Sequence, residues 1–257
     1  MSAASLLISW IRKIWKRIWN ATADLLVDCS KEAGFALLLV TLVLATRTQL
    51  SSPQGTKLLA NLWHSLAAWQ PLLGVPVVRT QILAITIQVL LPGLAIVLIH
   101  RKPLSEYGLG LGDWRFWVPI AALVFLIQIV VVVGFLSRDP AYLARYPSLD
   151  AARRGGSVFW LWEASRLVYM ASWEFLFRGY LLFALWRRMG TLAIGVQMVP
   201  FVLMHVVSHK PPSEVYFTIA SGLLSGLFAI EARSVWPIVF LHAAGAVLLD
   251  VCIVFCH

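Results

Sequence analysis

The chain is a succession of apolar runs, and their lengths decide what it can fold into. Runs occur at 33–46, 81–99, 116–136, 158–186, 192–207, 215–230 and 235–255, several close to the roughly 20 residues that cross about 30 Å of hydrocarbon. With 60% hydrophobic and 13% charged residues among 257, the chain carries more apolar surface than one soluble core could bury. Backbone groups in hydrocarbon must be satisfied within the segment, so such runs become helices. The expected fold is all-α, a polytopic transmembrane helix bundle of seven helices. An eighth requires the Trp- and Leu-rich stretch 58–78 to enter the bilayer, and its prolines with Asn61, His64 and Gln70 favour the interface instead.

Two parts are expected: a basic amphipathic segment over 1–32 and the bundle over 33–257. In the first, Ile11, Ile14, Trp15, Ile18 and Trp19 recur at helical spacing opposite Arg12, Lys13, Lys16 and Arg17. That is the pattern of a helix lying on an anionic lipid surface, or of a cap packed on the bundle. It lacks the long core and small-residue cleavage site of a signal peptide. The net charge of +9 is scattered between apolar spans, which argues against nucleic acid as a partner and for membrane topology. Basic residues are the more frequent on segments that are inside if the N-terminus is cytoplasmic.

Cys29, Cys252 and Cys256 form no disulfide framework and read as packing residues. The longest polar interval, 137–156, reads as a loop. No cofactor motif is present.

The polar groups inside the apolar half are more informative. Glu174 and Arg178 stand four apart in a run otherwise suited to lipid, the better orientation for a helical ion pair. A charge at membrane depth costs a few kcal/mol, and is seldom kept unless it is paired, faces a polar cavity or does chemistry. Glu174, His205 and His242 each lie in a different apolar span, which is how a bundle builds a site in its core. Glu163 and Arg166 are expected to pair with each other, while Glu231 and Asp250 are expected at solvated or interfacial positions.

His205 and His209 have the i,i+4 spacing of metal ligands, but Val206 stands where HExxH carries its base, so no metal site is expected; His209 is kept as a supporting residue. Ser221-Gly222-Leu223-Leu224-Ser225-Gly226 reads as small residues admitting a close helix, not as a serine nucleophile.

Taken in order, Glu174-Phe175-Leu176-Phe177-Arg178, Phe201-Val202-Leu203-Met204-His205 and Leu241-His242 resemble the motifs of the CPBP family, the CAAX proteases and bacteriocin-processing enzymes. The connector Pro103-Leu104-Ser105-Glu106-Tyr107-Gly108-Leu109 and the turn Ser234-Val235-Trp236-Pro237-Ile238 are also similar. The CPBP-like core covers about 158–246. The resemblance implies a metal-independent glutamic intramembrane endopeptidase in a prokaryotic cytoplasmic membrane, acting on a membrane-associated peptide or protein. Glu174 with His205 would polarise a water, His242 would hydrogen-bond the oxyanion, and Arg178 would support Glu174.

Two positions depart from that pattern. Trp173 stands where the family has a first, water-activating glutamate, and Ala246 where it has Asn or Asp. One residue around a helix is about 100°, so Glu174 does not take the place of the missing carboxylate without a change of helix rotation. The alternative is a catalytically inactive scaffold or binding protein built on the same bundle.

Overall fold

The computed structural model describes residues 9, 12–16, 32–69 and 75–256. Of the amphipathic segment, residues 12–16 are helical; most of that segment, and Cys29, lie outside the described residues.

Helix α1 (Glu32–Leu50) buries Ala33, Ala36, Val40, Val43, Leu44 and Arg47, one helical stripe, and leaves Leu37, Leu38 and Leu42 exposed. A helix apolar all round suits a lipid setting. Short helices α2 (Pro53–Leu58) and α3 (Ala60–Trp69) follow. Ser52 caps α2 by accepting from the Gly55 amide at 3.1 Å, and Trp63 is the buried anchor of α3. Ten residues of helix rise about 15 Å, half of what a bilayer core requires. Among the described residues of the stretch 58–78, no helix is long enough to form an eighth span.

Helix α4 (Pro76–Leu94) runs on as a π-helical turn over Ala95–His100. Helix α5 (Trp114–Gly134) starts at Asp113, whose carboxylate caps the Phe116 amide at 3.2 Å. After a short α6 (Pro140–Arg145), helix α7 (Gly156–Glu174) passes through a π-helical segment, Phe175–Leu181, into α8 (Leu182–Met189). Gly190, at φ 53°, ends this rod in a conformation that glycine adopts without strain. Helices α9 (Leu192–Val207), α10 (Pro212–Ala232) and α11 (Trp236–Phe255) complete the bundle.

Among the described residues five helices are long and apolar enough to cross a membrane: Glu32–Leu50, Gln81–His100, Trp114–Arg138, Pro212–Ala232 and Trp236–Phe255. The other two expected runs are also helical. Helix α9 is short, and α7 carries Glu163, Arg166 and Glu174, all buried in protein. The protein is a polytopic helical membrane protein.

Helices α9 and α10 meet through glycine. A Cβ on Gly222 would stand 2.9 Å from Met198 Cγ, and one on Gly226 2.8 Å from Ile194 Cγ2. Ser221 is exposed. The small residues thus serve close approach, as their spacing suggests.

Contacts between loops define the two ends of the bundle. At one end Lys102 Nζ donates to Glu32 at 2.6 Å, the Tyr107 hydroxyl donates to the same carboxylate, and Arg187 pairs with Glu106 at 2.6 Å. Burial, then Glu32, raises the Tyr107 pKa, so its hydroxyl stays a donor. The connector docks here too: the Val235 amide donates to the Gly108 carbonyl at 2.9 Å and the Trp236 indole to Leu109 at 3.0 Å. At the other end the 137–156 loop meets the α9–α10 turn, Arg145 donating to the Ser208 carbonyl at 2.9 Å.

Candidate active site

Helix α7 delivers Glu174 and, one turn later in the π-helical segment, Arg178. Both are 1% exposed, a burial that charges tolerate only when paired and hydrogen-bonded. Arg178 Nη1 lies 3.2 Å from Glu174 Oε2. Single π-helical turns inside α-helices are frequent at functional sites. This one also carries Gly179, where a Cβ would press to 3.0 Å from the Tyr107 carbonyl, so the rod meets the connector there.

The other oxygen of Glu174 is taken by α11. His242 Nδ1 donates to Glu174 Oε1 at 2.6 Å, the short distance of a charge-assisted bond. The His242 side chain is 30% exposed against 1% for Glu174. The imidazole therefore presents part of its surface outside the packed core, while the carboxylate is enclosed behind it. With Nδ1 committed to Glu174, Nε2 is the nitrogen left for chemistry.

His205 enters from α9. Its Nδ1 donates to the Phe201 carbonyl at 2.9 Å, one turn back on its own helix. Phe201 lies between it and Arg178: the guanidinium sits 3.7 Å from the Phe201 ring centroid, and the imidazole ring 4.7 Å from the same ring. No hydrogen bond joins His205 to Glu174 among the described residues, although it stands within electrostatic range of both Glu174 and His242. The structure thus brings Glu174, Arg178 and His242 into direct contact, with His205 behind an aromatic spacer.

His209 does not join them. Helix α9 ends at Val207, and His209 follows in a left-handed conformation (φ 51°), exposed. The i,i+4 face that its spacing from His205 suggests is not formed.

Trp173 is 7% exposed and turned away from Glu174. It stacks on Phe177 with centroids 5.4 Å apart, and the Arg47 guanidinium of α1 lies 4.9 Å over its ring while donating to Tyr169 Oη at 3.1 Å. The departure from the family pattern is thus filled by a packed aromatic under a cation. Ala246 is half-buried, and beside it the Gln128 amide packs on Gly245, where a Cβ would stand 3.2 Å from its nitrogen.

Asp250 is not interfacial: it is 0% exposed and pairs with Arg166. Arg166 also faces Glu163 at 3.6 Å, as its spacing suggests, but Asp250 is the nearer partner. The reason is geometric. Arg166 stands eight residues before Glu174, and Asp250 eight after His242, on helices that pair the same way at both levels. That matched spacing was the signal in the sequence for this pair. Glu231 is exposed, as expected.

Residues 156–248 match one family model, Rce1-like, described as type II CAAX prenyl endopeptidase Rce1-like. This match supports the resemblance of the segment to the CPBP family. The match spans α7 through most of α11, and so contains Glu174, Arg178, His205 and His242. Comparison with curated proteins and with solved structures finds no match.

Proposed function

We propose that the chain is an intramembrane endopeptidase of the CPBP type that cleaves a membrane-associated peptide or protein with a side-chain-activated water. The observation that carries this reading is the 2.6 Å bond from His242 Nδ1 to Glu174. A buried carboxylate that fixes one imidazole nitrogen leaves the other free as a general base, the logic of a nucleophile–base–orienter triad with water as the nucleophile.

In this scheme the roles differ from those the resemblance implies. His242 Nε2 takes the proton of the attacking water, and Glu174 holds the imidazole in the required tautomer and stabilises its cation. Arg178 keeps Glu174 ionised in an apolar setting. His242 Nε2 then returns that proton to the leaving amine, while His205, its Nδ1–H held by the Phe201 carbonyl, presents a bare Nε2 that accepts from the attacking water and orients it. Trp173 takes no part in the chemistry.

The site lies toward the connector end. Glu174 is five residues from Gly179, which packs on the connector, and His242 six from Trp236, about 8–9 Å of helix. That end carries Arg101, Lys102, Arg115, Arg187, Arg188 and Arg233. Together with Arg12, Lys13, Lys16, Arg17 and Lys31, which precede α1 in sequence, these outnumber the basic residues toward the other end by eleven to eight, and on that bias we assign this end to the cytoplasm. A substrate would enter from there, and the prenylated CAAX terminus in the matched family's description is the first class to test.

A second reading is a CPBP-like protein that holds such a peptide without cutting it, favoured by the burial of Trp173 under Arg47. Purified protein in liposomes, given a farnesylated CAAX peptide, separates the two. Cleavage that His242→Ala abolishes supports the enzyme; saturable binding with no cleavage supports the scaffold.

A further inference from the structure

His205 sits within the last turn of α9, next to a short connection. The Lys210 amide donates to the His205 carbonyl at 3.2 Å, and the Ser208 amide to Met204 at 3.1 Å. Helix ends fray when their last carbonyls lack partners, so a catalytic side chain placed there needs outside support.

The support comes from the 137–156 loop. The Tyr146 hydroxyl donates to the Glu214 carboxylate, 2.9 and 2.8 Å from its two oxygens, and accepts from Lys210 Nζ. Lys210 also pairs with Glu214 at 2.9 Å, closing a three-member ring across the turn, and its ammonium lies 4.7 Å over the Tyr146 ring. Arg145 holds the Ser208 carbonyl at 2.9 Å. The Arg166 guanidinium, paired with Asp250, lies 5.8 Å from the Tyr146 ring.

Burial raises the Tyr146 pKa, with Glu214 adding to it, so the hydroxyl remains a donor. Burial works against the Lys210 charge, and Glu214 opposes that.

We infer that Tyr146, Lys210 and Glu214 form a clamp whose function is to position His205: the loop closes over the α9–α10 turn and holds the end of α9 so that the imidazole stays in the site. This rests on His205 belonging to the site. A clamp of this kind acts through Lys210 and its amide, without touching substrate, so these are positioning residues.

The test needs no substrate. In detergent-solubilised protein, amide hydrogen exchange across 204–212 and the rate of carbethoxylation of His205 relative to His242 are read by mass spectrometry. Tyr146→Phe and Lys210→Met should each speed exchange at the Lys210 amide by about three- to tenfold, the range for loss of one net hydrogen bond. Both should raise the His205-to-His242 modification ratio by a similar factor, and Lys210→Arg should restore it. A general loss of stability would move both histidines together and leave the ratio unchanged. If Lys210→Met does not fold, Tyr146→Phe, which removes one oxygen, decides the matter alone. An unchanged ratio and unchanged exchange in Tyr146→Phe overturn the clamp. Failure to cleave any peptide would defeat the proposed enzyme but leave these readings intact.

Discussion

Two polar layers lie two helical turns apart on the same pair of helices, and they are built differently. One is Glu174 with His242 and Arg178; the other is Arg166 with Asp250 and Glu163. Both bury carboxylates against a guanidinium, at a separation of about 12 Å for eight residues of helix. In the first layer one partner is an imidazole that is 30% exposed, whereas in the second Glu163, Arg166 and Asp250 are all buried at 5% exposure or less. Charges walled off on every side hold helices in register; a wall with one titratable, reachable member can do chemistry. Burial of charge alone marks neither layer as the site.

The largest effect that separates the layers is on stability. Asp250→Ala leaves buried Arg166 with only the more distant Glu163 and should cost up to about 3–5 kcal/mol, read as a lowered melting temperature in detergent. Replacing Glu163, Arg166 and Asp250 together by Gln, Met and Leu should be neutral or stabilising, by up to about 4 kcal/mol, because no lone charge remains. Peptide cleavage should survive that triple change. Loss of cleavage with the fold intact would erase the distinction between the layers.

Next in size is His205→Ala, which should lower kcat by about 100- to 10,000-fold, the range for loss of a positioned group that orients the attacking water, with KM little changed. It should leave the melting temperature near that of the parent, unlike Asp250→Ala.

A third comparison concerns Trp173 and Arg47. A carboxylate placed by Trp173→Glu meets the Arg47 guanidinium, so the two positions should couple. A double-mutant cycle of Trp173→Glu with Arg47→Leu should give an interaction energy of about 0.5–3 kcal/mol in thermal or denaturant unfolding. Additive effects would mean that the cation–aromatic contact is incidental.

The smallest effect is expected at the exposed Glu231. Glu231→Gln should change stability by no more than about 0.5 kcal/mol and leave cleavage unaltered.

How much of this was legible depends on which interactions are local. The apolar runs announce their helices because length and hydropathy are properties of one segment. Glu174–Arg178 was legible for the same reason, being one turn apart. Contacts between helices were not: the Glu174–His242 bond, the aromatic spacer at Phe201 and the Arg47–Trp173 stack depend on which faces meet. Asp250 was misplaced because nearness to a chain end suggested solvent, while its spacing from His242 mirrored that of Arg166 from Glu174. His209 was misplaced because α9 ends at Val207, two residues before it, under the influence of Lys210-Pro211-Pro212. The π-helical segment at Phe175–Leu181 leaves no trace in periodicity.

The central claim is that Glu174 fixes His242 as the base, and the tautomer of His242 tests it most directly. Nitrogen-15 spectra of histidine-labelled protein, assigned with His242→Ala, should show neutral His242 protonated at Nδ1 with Nε2 bare. Glu174→Gln should alter that signal while the His205 signal persists. A neutral His242 carrying its proton on Nε2, or a signal indifferent to Glu174→Gln, would contradict the account.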